Sequence, residues 1–151
     1  MKKTNNKGFS LVELIVVIAI MAVLVGVAAP TFTKYVEQAR RSTDVQNAEA
    51  IKTAVLADIA DGTLEDSKSD VVVTDADGGY HPTALTEVPV IQAKGAKGNN
   101  FTATWNVTNG TCSVEAGGVD LTDPDTAEKY KSGEVSPTAS SSGSGTGGGE
   151  G

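Results

Sequence analysis

Side chains able to do covalent or metal chemistry are scarce in this 151-residue chain. It holds one cysteine, Cys112, and one histidine, His81, so neither an intramolecular disulfide nor a multi-thiolate metal site can form. His81, in Gly-Gly-Tyr-His-Pro-Thr, reads as a loop residue, because a lone histidine is no metal site. Asp75-Ala-Asp77-Gly-Gly begins like a calcium loop. Tyr80 then stands where such a loop needs glycine, and Thr86 where it needs a bidentate glutamate, which rejects an EF-hand. Asp120, Asp123 and Asp125 read as a solvated acidic loop. Asn100, Asn106 and Asn109 each begin an Asn-x-Thr triplet, as composition alone would produce in a Thr/Asn-rich region. Cys112 alternates in register with Val114 and reads as a buried, inert thiol, and Trp105 as a core residue. No catalytic set, cofactor or metal is expected. The chain reads as non-enzymatic.

The acid that stands out is Glu13. Lys2, Lys3 and Lys7 precede it, and between residues 9 and 33 it is the only charged side chain. From Leu14 to Thr33 run twenty uncharged residues. At ~1.5 Å per residue, a helix of that length spans a hydrocarbon core of about 30 Å. A secretory signal has a shorter apolar core of about 7–15 residues, although Ala28-Ala29 imitates its cleavage site. The leading lysines predict a cytoplasmic N-terminus, with everything after about residue 34 outside. An acid within a span is functional by default, the plain alternative being a glutamate that snorkels to the interface. The formal net charge is −7, and the acidic excess lies after residue 60, so no nucleic-acid partner is expected.

These residues need elements to position them. Val45, Ala48, Ile51, Val55 and Ile59 recur at helical spacing, which continues the apolar run as one amphipathic helix as far as about Ala60, with Gly62 as its stop. Pro30 is expected to kink this helix without ending it. Beyond it the period becomes alternating. Val71-Val72-Val73 and Val88-Pro89-Val90-Ile91 are strand candidates. Phe101, Ala103, Trp105 and Val107 share a face, and Asn109-Gly110 suits a tight hairpin turn in which both residues adopt positive φ. The expected fold is α+β: one long N-terminal helix packed on a small antiparallel sheet by its stripe at residues 45–59. Residues 132–151, rich in Ser and Gly, read as a flexible tail or a linker. Its removal is expected to leave stability nearly unchanged.

Lys7-Gly8-Phe9-Ser10-Leu11-Val12-Glu13-Leu14 resembles the prepilin signature of type IV pilins and the related pseudopilins. The likeness covers residues 2 to about 60, and beyond them it is architectural. It implies that a prepilin peptidase cuts after Gly8 and that Phe9 becomes a methylated N-terminus. It further implies that Glu13 pairs with the Phe9 amine of a neighbouring subunit, and that the helix loosens between Gly26 and Pro30. The resulting segments are a leader (1–8), a spanning half-helix (9–33), a globular domain (34–131) and the tail (132–151). The resemblance implies a pilus subunit held in the cytoplasmic membrane before an assembly platform and ATPase extrude it into an extracellular filament. Its partners would be identical subunits, the peptidase, that machinery and membrane lipid. The alternatives are a pseudopilin of a secretion or DNA-uptake system, and a single-span protein displaying a small binding domain. Many Gram-negative pilins close a C-terminal loop with two cysteines. Cys112 alone cannot, which implies a different β-region, as in pilins of Gram-positive bacteria.

Overall fold

The computed structural model describes residues 9–138. Gly8, the rest of the leader and residues 139–151 of the expected tail lie outside the described residues. The chain divides between Val36 and Glu37 into two units. The first is the N-terminal part of helix α1, Leu11–Ala60. Its side chains from Phe9 to Tyr35 are all exposed. The Leu14 N–H donates to the Ser10 carbonyl at 3.2 Å, closing the first turn. Pro30 sits inside the helix without ending it.

The second unit holds the rest of α1, four strands and a second helix. Strands β1 (Lys68–Val73), β2 (Phe101–Asn106), β3 (Thr111–Ala116) and β4 (Val119–Asp120) form an antiparallel sheet in the order β1-β2-β3-β4. Helix α2, Pro124–Ser132, follows. In β2 and β3 burial alternates, so Phe101, Ala103 and Trp105 face the core together with Cys112, Val114 and Ala116. Ala48, Ile51 and Val55 of α1 join them, as does Tyr130 of α2. Each fully buried Val, Ile or Phe contributes about 1.5–3 kcal/mol. The α+β expectation therefore describes this unit.

Both helices of this unit end in the same way. At the end of α1, Gly62 has φ 75°, its N–H donates to the Ile59 carbonyl at 3.2 Å, and the Thr63 N–H reaches the Asp58 carbonyl at 2.9 Å. At the end of α2, Gly133 has φ 87°, with matching bonds to Tyr130 and Lys129. These are Schellman closures, which satisfy the last carbonyls by way of a left-handed glycine.

Four local expectations change. Val88–Ile91 forms no strand; Val90 makes a single bridge to Asn100, and Pro89 has no N–H to donate to a ladder. The hairpin turn is wider than two residues, since Asn106 pairs with Thr111 and leaves a four-residue loop, Val107–Gly110. Only Gly110 has positive φ there, at 61°. The acidic run is not a plain loop either: the Asp123 carboxylate accepts the Thr126 N–H at 2.9 Å and caps α2, with Pro124 in the first turn. Finally, residues 132–138 do not detach at the expected boundary. Ser132 ends α2, Val135 packs on the core, Pro137 is buried, and the Thr138 N–H and hydroxyl both donate to the Gly117 carbonyl, at 3.1 and 3.0 Å. Two apolar residues and a set of partners elsewhere in the chain outweigh the segment's polar composition.

Candidate functional site

In the first unit the candidate residues are arranged by the helix itself. Phe9 is 89% exposed and Leu14 60%, and the apolar side chains between them and Tyr35 are likewise open. α1 is long and apolar enough to cross a membrane, and none of that stretch is buried. Glu13 lies in its first turn, and its carboxylate accepts the Ser10 N–H at 2.8 Å. This is the reaching-back half of a capping box, with Ser10 preceding the helix and glutamate three residues on. The Ser-x-x-Glu spacing carried that signal, but reading the acid only as an intramembrane charge passed over it. Gly26 and Pro30 are four residues apart, so the Gly26 carbonyl faces the proline that has no N–H to offer it. The Thr33 hydroxyl donates to the Pro30 carbonyl at 2.9 Å, and no side-chain atom crowds Gly26.

The second unit is held to its own stretch of α1 by polar side chains that the sequence pattern did not single out. Arg41, Asp44 and Asp58 are buried at three- and fourteen-residue intervals along the stripe of Ala48, Ile51 and Val55. The Asp44 carboxylate accepts the N–H groups of Gln92 (2.7 Å) and Ala93 (2.9 Å) and the Tyr130 hydroxyl (2.9 Å). Asp58 accepts the hydroxyls of Tyr80 and Thr83 and the Thr83 N–H at 2.9 Å. Glu37 accepts the Lys94 N–H at 2.8 Å. Residues 37, 44 and 58 are multiples of seven apart and lie on one helix face. They hold the connection between β1 and β2 in reverse order, at Lys94, then Gln92 and Ala93, then Thr83. That connection therefore runs antiparallel to the helix, fastened through its backbone.

Arg41 fastens the other end of the chain. Its guanidinium donates to the carbonyls of Tyr130 (3.0 Å) and Val135 (2.7 Å) and to the Ser136 hydroxyl (3.1 Å). It also pairs with Glu37 at 3.3 Å and lies 5.1 Å from the centre of the Tyr130 ring. Burial pushes the Asp44 carboxyl above its ordinary value, against the pull of its three donors. At Asp58 burial acts the same way, but the Thr83 and Tyr80 hydrogen bonds outweigh it and hold the carboxyl low. Burial and the adjoining carboxylates push both tyrosine hydroxyls upward, so Tyr80 and Tyr130 act as neutral donors.

The remaining candidates are structural. Burial pushes the Cys112 thiol up to about 11, which leaves it protonated and unreactive. His81 pairs with Asp75 at 2.8 Å, and Asp75 also accepts the Val88 N–H. The Trp105 indole donates to the Asp66 carbonyl at 2.9 Å and tilts against the Tyr80 ring 5.0 Å away. No cluster of three possible metal ligands occurs among the described residues.

Residues 3–29 match a family model described as the prokaryotic N-terminal methylation motif. The chain is 31% identical over 86 residues to prepilin peptidase-dependent protein A of Clostridium perfringens, across 57% of this chain and 61% of that protein. Its N-terminal segment carries this motif, and the chain is similar to type IV prepilin and fimbrial proteins. A fimbrial protein of Dichelobacter nodosus is 28% identical over 111 residues, across 72% of this chain and 69% of its own. A type IV major fimbrial protein FimA of the same organism is 30% identical over 82 residues, across 52% and 51%. The chain thus spans between half and about two thirds of the length of these three relatives. No solved structure matches it. The motif takes in Gly8, Phe9, Glu13 and Gly26 but stops one residue short of Pro30.

Proposed function

We propose that the chain is a structural subunit of a type IV pilus and has no catalytic role. In this reading it enters the cytoplasmic membrane through residues 9–33, with its N-terminus inside. A prepilin peptidase cleaves it after Gly8, and Phe9 is methylated. An assembly platform and its ATPase then pass it from lipid into an extracellular filament of identical subunits. Glu13 pairs with the Phe9 amine of the neighbouring subunit, and the Gly26–Pro30 stretch loosens in the packed helix core. One observation carries the reading: from Leu11 onward the methylation-motif segment is continuous helix whose apolar surface is exposed, on a chain whose other unit has its own core. An exposed surface of that size requires lipid or other helices to cover it.

The test is electron microscopy of sheared cell-surface material, with mass spectrometry of the N-terminal peptide. Long filaments whose subunits begin at methylated Phe9 are expected. Subunits that keep Met1 or Lys2 overturn the reading, and a cut after Ala29 restores the secretory one. Correctly processed subunits in short periplasmic or trans-wall assemblies assign the chain to the pseudopilins.

A further inference from the structure

Asn109 is exposed in the loop between β2 and β3. Its backbone N–H donates to the Asn106 side-chain oxygen at 2.9 Å, which pins the main chain while the carboxamide faces solvent. The next residue is Gly110, at φ 61°, and a Cβ built there meets nothing within 4 Å. Among the described residues no partner holds the Asn109 carboxamide or the Gly110 N–H. We infer that Asn109 is a site of spontaneous deamidation, its Cγ attacked by the unhindered backbone nitrogen of Gly110.

The step balances without an oxidant or reductant. The Gly110 nitrogen gives up its proton to solvent base and bonds to the Asn109 Cγ. The Cγ–Nδ2 bond breaks, ammonia leaves with a proton from water, and a five-membered succinimide closes. Water then opens the ring at either carbonyl, giving aspartate or isoaspartate. No other asparagine among the described residues offers this combination. Asn106 precedes β-branched Val107, and its side-chain oxygen is occupied. Asn99 precedes Asn100, Asn100 precedes Phe101, the first residue of β2, and Asn47 lies within α1, where the following N–H belongs to the helix ladder. The product adds a negative charge at the hairpin tip of a chain whose formal charge is already −7. Isoaspartate also inserts a main-chain carbon beside the terminal Asn106–Thr111 pair.

The chemistry is independent of assembly, so it stands or falls separately from the pilus reading. The purified full-length chain is held in detergent at mildly alkaline pH beside a synthetic peptide spanning the hairpin loop. Peptide mass spectrometry and isoaspartyl methyl-acceptance then follow both. Asn109 in the protein should gain a single dalton and isoaspartate at a rate within about tenfold of the free peptide, because a loop tip opens at little cost. Asn109→Ser should abolish both signals and leave Asn100 and Asn106 unmodified. An unchanged Asn109 while the peptide converts overturns the inference, as does a signal that persists in Asn109→Ser.

Discussion

Glu13 has to meet two demands that substitution can separate. Its oxygen caps the Ser10 N–H, and its charge is the only one between residues 9 and 33. An ionised acid costs about 2.5–3.5 kcal/mol at the centre of a span and less near the interface. Glu13→Gln keeps an acceptor for Ser10 and loses the charge; Glu13→Ala loses both. Both variants should insert at least as well as the parent. If the charge pairs with the Phe9 amine, both should lower the ratio of sheared filament to membrane pool by on the order of tenfold, or about 1.4 kcal/mol. A normal ratio in Glu13→Gln would assign the effect to the cap. The buried carboxylates titrate with opposite signs. Asp58 is held below 3.8, so its stabilisation is complete above that value and fades as pH falls through the folded-state pKa. Asp44 is raised above 3.8, so its contribution is fullest below that value and fades as pH rises through the folded-state pKa. Asp58→Asn should lower neutral stability by on the order of 2 kcal/mol and flatten the acid limb of the stability curve, read by denaturant unfolding. An acid limb as steep as the parent's would contradict this account.

Among the elements, the segment after α2 departs most from its composition. Gly133 turns the chain out of the helix, and residues 135–138 then lie between two distant partners, Arg41 and Gly117. A Cβ on Gly117 would come within 2.3 Å of the Thr138 carbonyl oxygen, so only glycine leaves room for this strap. A buried guanidinium with three acceptors holds this segment to α1. Truncation after Thr138 should leave the melting temperature nearly unchanged. Truncation after Ser132 should cost about 2–4 kcal/mol, because it exposes core and takes from the buried Arg41 guanidinium its Val135 and Ser136 acceptors. Arg41→Ala should cost a similar amount, and thermal melting of the three forms decides. Equal melting after both truncations would mean that the strap contributes nothing.

For the whole molecule, the two units imply different solvents. Residues 37–138 contain a complete core, a capped second helix and no buried side-chain polar atom without a partner. Expressed alone, this part should be a soluble, cooperatively unfolding monomer of mixed helix and sheet, checked by circular dichroism and sedimentation. Aggregation of the fragment would show that its fold depends on the apolar half-helix. The full chain should instead require detergent, since its exposed N-terminal helix is long and apolar enough to cross a membrane.

Local periodicity was enough to read several features from the chain itself. The uncharged run, the continuation of α1 to about residue 60, the stop at Gly62 and the alternation of Phe101, Ala103 and Trp105 depend only on near neighbours in sequence. So did the prepilin signature, whose spacing is itself the motif. α2 was legible too, in Asp123-Pro124 at one end and Gly133 at the other, but the acidity of the run drew the reading toward solvent. Tertiary structure alone decided what Arg41, Asp44 and Asp58 do. Charged residues on a helix are ordinarily solvated, and burying one is favourable only where donors or acceptors converge on it. Those partners lie at Gln92, Ala93 and Tyr130 for Asp44, at Tyr80 and Thr83 for Asp58, and at Tyr130, Val135 and Ser136 for Arg41. No repeat within the helix encodes positions so far along the chain; they meet because the β1–β2 connection, α2 and the segment after it close over the same helix face.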